Sequence, residues 1–200
     1  GVPFNRQATA AAAEAGHADY LKQLTNAGCL WSGEVAFLAA KHRHWNVLEY
    51  AENKGRLAQG NNACTGAVVG GHRDVLKWLV NHGCSPDNTT TAAAAKHGDL
   101  ESLRYLVQVG GSGLLGAAVS QNAAACGHLH ILQWLHSIPH KVHANVAYQA
   151  SVHGHTEVLR WALAHCGTVH VMACQQHAKN QQVLDIIDAW CQAGRPRTLP

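Results

Sequence analysis

Charge is scarce in this 200-residue chain. Asp, Glu, Lys and Arg together make up 14%, against the ~25% usual in globular domains. The excess of cations is small, 15 Lys and Arg against 12 Asp and Glu. That balance gives no case for a nucleic-acid or membrane-surface ligand, which needs a clustered basic face. No apolar run approaches the ~18 residues of a membrane span. The opening GVPFNRQ lacks the charged and apolar regions of a secretory signal. It also lacks an initiator Met, as expected of a segment of a longer chain. Cys-x-x-Cys, Gly-x-Ser-x-Gly, His-Glu-x-x-His and a phosphate loop ending in Gly-Lys-Ser/Thr are all absent. Redox-motif, nucleophile-elbow, zincin and phosphate-loop chemistry therefore have no support. What fills the space is apolar and histidine-rich: 47% hydrophobic residues and 16 histidines. Protonating those histidines would make the surface more cationic near pH 6, a general property of such chains.

The abundant feature is repetition. GGHRDVLKWLVNHGC begins at Gly70, CGHLHILQWLHS at Cys126 and HGHTEVLRWALA at His153. Taking the Gly of Gly-His as position n, the anchors are Gly16, Arg43, Gly71, Gly98, Gly127, Gly154 and Lys179, spaced 27, 28, 27, 29, 27 and 25 residues apart. Position n+5 is Leu in all seven copies, and n+4 is large and apolar in six. Positions n+4, n+5, n+7 and n+8 share one stripe of a helix. Upstream, n−4 is Ala in six copies and n−3 is mostly Ala. Each unit therefore reads as a short Ala-rich helix, a turn that needs φ > 0 at n, and a longer Leu/Trp helix. A second Gly at n+12 (Gly28, Gly55, Gly83, Gly110), with Gly167 one residue late, closes the longer helix. Acid at n+3 with base at n+6 (Asp19–Lys22, Asp74–Lys77, Glu101–Arg104, Glu157–Arg160) marks its wet face. The Gly-rich 110–116 segment coincides with the longest spacing and reads as a two-residue loop insertion.

Ala-Ala-x-x-Gly-His-x-x-Val-Leu-x-x-Leu with a Gly about four residues on resembles the ankyrin repeat. The Gly28-Cys29 and Gly83-Cys84 endings and the n+7 Trp are similar to a divergent short class of it. The resemblance covers roughly Ala8 to Gly194. The ~33-residue ankyrin period and its Thr-Pro-Leu-His opening are missing, so the β-hairpin fingers should be shortened or absent. A period of 27 also falls in the leucine-rich-repeat range, but no Leu-x-x-Leu-x-Leu-x-x-Asn run occurs. The expectation is an all-α helical-pair solenoid over residues 1–200. Its units are 4–30, 31–57, 58–85, 86–113, 114–140, 141–168 and 169–194, with a tail at 195–200.

The seven cysteines fall partly in repeat phase. Cys29 and Cys84 hold one position two units apart, ~16–20 Å at the spacing of stacked helices, beyond disulfide reach. They read as small buried hydrophobes of an intracellular, reducing compartment, most simply the cytoplasm. Five n+1 positions are His (His17, His44, His72, His128, His155). A ladder spaced by a repeat does not converge on a metal, and these read as turn residues. No catalytic residue, cofactor or metal is expected. The n+7 aromatics (Tyr50, Trp78, Tyr105, Trp134, Trp161) read as core. Trp31 and Trp45 fall outside n+7 and are candidate contact residues, partly buried against a neighbouring unit.

Stacked helix pairs offer an extended surface. The ankyrin resemblance implies a non-enzymatic scaffold that binds a partner protein or peptide on its concave face, as part of a larger chain or assembly, without small-molecule substrate or membrane insertion. The alternatives are a nucleic-acid-binding solenoid, against which the even pairing of n+6 cations with acids argues, and a substrate-recruiting segment of a larger enzyme. Positions n−2 and n−1 turn outward along that face, and the candidate contacts are Lys41, His42, Lys96, His97 and His153, with Trp31 and Trp45.

Overall fold

The computed structural model describes residues 6–57, 62–138, 145–166 and 169–193. They form fourteen α-helices and one short 3-10 turn at Ser112–Leu114, and none lies in a strand. The helices alternate as expected. The first helices of the copies are α1 (Arg6–Glu14), α3 (Val35–Lys41), α5 (Ala63–Val69), α7 (Asn88–Lys96), α9 (Ala117–Ala125), α11 (Val146–His153) and α13 (Val171–Gln176), of which α1, α7 and α9 are as long as most of their partners. The Leu/Trp helices are α2 (Ala18–Asn26), α4 (Trp45–Asn53), α6 (Arg73–Asn81), α8 (Leu100–Gly110), α10 (Leu129–Ser137), α12 (Thr156–His165) and α14 (Gln181–Gln192).

The chain divides into two compact units, 1–91 and 92–200. In the first, α1 packs on α3 and α3 on α5, while α2 packs on α4. In the second, α9 packs on α11 and α11 on α13, while α10 packs on α12 and α12 on α14. Each unit thus has a row of Ala-rich helices beside a row of Leu/Trp helices.

The turn between the two helices of a copy is one motif repeated. The residue at n is left-handed in six copies, and one of them is not glycine: Arg43 has φ 58°. That geometry lets the N–H of n+1 reach back to the carbonyl of n−4, the six-residue bond that closes a helix C-terminus. His17 bonds Ala12, His44 Ala39, His72 Ala67, Asp99 Ala94, His128 Ala123 and His155 Ala150, all at 2.8–3.0 Å. The second helix then starts at once. Asp99 and Asn180 cap it with their side chains, accepting from the N–H of Ser102 and Val183, as N-cap residues do.

The core follows the sequence phase. All n−4 alanines, all n+8 residues and the n+5 leucines of the first six copies are buried. Ala rows let helix backbones approach closely. Gly66 in α5 and Gly70 at its end mark such an approach, where an added Cβ would meet the carbonyl oxygens of Phe37 and Lys41 in α3. Several expectations change. Tyr20 at n+4 is 51% exposed, because a phenol is too large for the slot that Val or Ile fills elsewhere. Leu184 at n+5 is half-buried, while Ile186 is buried one position before n+8. Helix α8 continues through Gly110, and Gly111, with φ 77°, makes the turn instead. Among the n+7 aromatics only Tyr50 is buried, and Trp78, Tyr105, Trp134 and Trp161 are half-buried. The position sits at the edge of the apolar stripe, where a large ring reaches beyond the neighbouring helix. Gly167 and the 195–200 tail lie outside the described residues.

Candidate interaction surfaces

The n+1 histidines do more than occupy the turn. The His44 ring Nε2 lies 2.9 Å from the Glu14 carbonyl oxygen, His128 Nε2 3.0 Å from that of Lys96, and His155 Nε2 2.9 Å from that of Ala125. In each pair the carbonyl belongs to n−2 of the preceding copy. A carbonyl only accepts, so Nε2 carries the proton and donates. A second tooth comes from n+3: the Asn46 amide donates to the Gly16 carbonyl at 2.9 Å, and the His130 Nε2 to that of Gly98 at 3.1 Å. The ladder therefore stitches copy to copy. In the last copy Lys179 takes this place, donating to the His153 carbonyl at 3.1 Å. The sequence showed the histidine period but not its use, since the acceptors are backbone atoms of another copy.

This stitching governs the face proposed from n−2 and n−1. Lys41 is half-buried, whereas His42, Lys96, His97 and His153 are exposed at the C-terminal ends of α3, α7 and α11. The carbonyl of Lys96 is occupied by His128, but its side chain remains exposed. His42 faces the Glu14 carboxylate at 3.9 Å and stacks on His44 at 5.9 Å between ring centroids. His153 stacks on His155 at 6.4 Å.

Trp31 and Trp45 belong to a different surface. Both are half-buried. Trp45 meets Trp78 edge-on at 5.8 Å, and Trp78 stacks on His82 at 4.1 Å. His82 donates from Nδ1 to the Trp78 carbonyl at 2.7 Å, and its Nε2 lies 3.3 Å from the Glu52 carboxylate. The same pairing recurs in the second unit. Trp161 stacks on His165 at 5.1 Å, His165 Nδ1 donates to the Trp161 carbonyl, and His136 meets both rings edge-on. The His at n+11, one helical turn after the n+7 Trp, was the legible signal for these stacks.

Trp31 faces Tyr50 at 6.1 Å, and the Arg56 guanidinium lies 5.5 Å from its ring centroid. Tyr50 is joined to the neighbouring copy through Thr25, hydroxyl to hydroxyl at 2.6 Å. The Thr25 hydroxyl directs its one proton at the carbonyls of Leu21 and Lys22, both at 3.0 Å, so Tyr50 donates to it.

Of the expected wet-face ion pairs, Asp19–Lys22 closes at 2.9 Å and Glu101–Arg104 at 3.4 Å. Asp74 is gripped by Arg43 of the preceding copy at 2.6 Å, because the left-handed Arg43 takes the turn where most other copies have Gly. Arg43's hydrogen bonds hold the Asp74 carboxyl below its ordinary range. All seven cysteines are free thiols. Burial, helped by nearby Cys84 and Asp87, pushes the Cys64 thiol up to about 12. Burial also raises those of Cys84, Cys166 and Cys174. A thiol held protonated in this way is a weak nucleophile. Among the described residues, no group of three His, Cys, Asp or Glu side chains is placed to hold a metal ion. None of their helices is long and apolar enough to cross a membrane.

No protein-family model matches the chain, and a search of the curated proteins returns no match.

Proposed function

We propose that this chain is a short-repeat, ankyrin-like helical scaffold whose work is to bind a partner protein or peptide, without chemistry of its own. The observation that carries this reading is equivalence. The same left-handed turn recurs in six copies, and the same imidazole-to-carbonyl bond joins successive copies in each unit. Stacked copies of one element build extended surfaces out of side chains at equivalent positions, which is the use to which repeat arrays are put. Lys41 and His42 are the candidate contacts on the first-helix face of the first unit, and Lys96, His97 and His153 on that of the second, with Trp31 and Trp45 on the second-helix side of the first. Because residues of this chain resemble the ankyrin pattern and no family match accompanies them, partner binding rests on architecture and not on descent.

The test is the double variant Lys41→Glu with Lys96→Glu, with partner capture as the readout. Each lysine ends its helix, so each reversal opposes the helix dipole and costs ~0.3–1 kcal/mol. Far-UV circular dichroism should stay unchanged while melting falls by a few degrees at most. Capture should drop sharply, and wild-type capture should weaken with salt. Capture that survives this reversal but is lost on changing the n+3/n+6 face would place binding on the opposite side.

A further inference from the structure

The cleft at the C-terminal ends of α2 and α4 holds a group the fold leaves without a partner. The cleft has a volume of about 150 Å³ and is lined by Thr25, Asn26, Trp31, Tyr50, Lys54 and Arg56, with Cys29. The Trp31 indole N–H is buried and lacks an acceptor. A buried donor left unpaired costs ~1–3 kcal/mol, and each such group calls for a reason. No Asp or Glu lines the cleft, whereas Lys54 and Arg56 both do. Their charges are held over aromatic rings: Lys54 Nζ is 5.8 Å from the Tyr50 centroid and the Arg56 guanidinium 5.5 Å from that of Trp31. Among the described residues neither forms an ion pair with a carboxylate.

The two helix C-termini at the cleft oppose an anion with roughly half a charge each. Three carbonyls in the last turn of each are already taken, by the N–H groups of Ala27, Gly28 and Cys29 on α2 and of Lys54, Gly55 and Arg56 on α4. Two full cations outweigh what is left. Thr25 spends its proton on α2 and Tyr50 its own on Thr25, so the donors at the cleft are Lys54, Arg56 and the Asn26 amide, with the Trp31 indole N–H unpaired beneath them and closed to solvent.

We propose that this cleft is a phosphomonoester site that reads a phosphorylated side chain on the partner. A phosphomonoester carries about −1.5 to −2 charge at neutral pH and three acceptor oxygens, which matches two cations and an unpaired N–H. A fork-shaped guanidinium stacked on an indole leaves its N–H edge free for phosphate. Only the source of the phosphate rests on the partner-binding reading. The site itself is tested without any partner.

The 15N-labelled chain is titrated with phenyl phosphate, inorganic phosphate, and a short peptide with and without phosphoserine. The Trp31 indole signal is assigned by its loss in Trp31→Phe. That signal should shift saturably with the phosphopeptide and phenyl phosphate, and stay still with the unphosphorylated peptide. Lys54→Gln and Arg56→Gln, both at exposed positions, should each weaken binding about tenfold, as loss of a charge-assisted hydrogen bond does, with the amide spectrum otherwise preserved. An unmoved Trp31 signal, an equal shift with the unphosphorylated peptide, or undiminished binding by both Gln variants overturns the site. Inorganic phosphate binding as tightly as the phosphopeptide overturns the partner as its source. Loss of partner capture in Lys41→Glu/Lys96→Glu has no bearing on any of these outcomes.

Discussion

At position n a single residue carries two constraints. Gly127 has φ 78°, and a Cβ there would stand 2.7 Å from His155 Nδ1, the ring that bonds the Ala125 carbonyl. Gly127→Ala should therefore cost at least the ~1–2 kcal/mol of the left-handed backbone, plus displacement of the ring. His155→Ala should cost ~1 kcal/mol for the lost bond. The two losses should not add, because removing the ring relieves the clash and leaves only the backbone strain. A double-mutant cycle by urea denaturation reads this coupling. Additive losses would mean that the ring does not sit over the turn. Arg43 shows that the backbone strain alone is tolerable, given a turn that grips Asp74 in return. The aromatics make a second residue-scale case. Trp134 is half-buried and Leu132 fully buried. Leu132→Ala should cost ~2–5 kcal/mol, and Trp134→Ala should fall below the ~3–5 kcal/mol of a fully buried ring. Equilibrium unfolding should rank Leu132→Ala the more damaging, and the reverse order would return n+7 to the core.

At the scale of the helix, α7 shows how an end is built. The Asp87 Oδ1 accepts from the backbone N–H groups of Thr89 and Thr90, both at 3.0 Å, and from their hydroxyls at 2.7 and 3.1 Å. Burial pushes its carboxyl up, but these hydrogen bonds outweigh it and the net value lies below the ordinary one. Asp87→Ala should cost ~1 kcal/mol, as lost caps do. The folded value is the lower one, so this stabilisation is present in full above the unfolded value of ~3.9 and is lost as pH falls through the folded value. The gap between variant and parent should therefore narrow below about pH 4, as urea midpoints at pH 7 and pH 3 would measure; a gap that widens in acid would contradict the cap. The helices themselves were legible in the sequence, because n−4, n+5 and n+8 repeat in phase and burial follows phase. The edges were not. Whether an n+7 ring is covered, whether Asp74 is reached by Arg43, and where an n+1 imidazole finds its acceptor all depend on the neighbouring copy. The contact cleft was half legible: Trp31 stood out as an aromatic outside the repeat phase, but nothing in the sequence set Lys54 and Arg56 beside it.

At the scale of the whole chain, the free thiols are reporters already in place. Cys29, Cys64 and Cys84 lie in the first compact unit, and Cys126, Cys166, Cys174 and Cys191 in the second. Denatured without reductant, the protein should titrate close to seven thiols. In the native protein Cys64 should react slowest, since burial both shields it and holds it protonated. If the copies act on one another only as neighbours, a lesion should loosen the chain locally. Leu132→Ala in α10 should then speed labelling of Cys126, which ends α9 beside it, and of Cys166, which ends α12 packed on α10. Cys64 should keep its parental rate. Residue-resolved labelling by mass spectrometry separates the outcomes. Parallel acceleration of Cys64 would mean that the chain opens as one cooperative body, and the account of it as an array of nearest-neighbour repeats would fail.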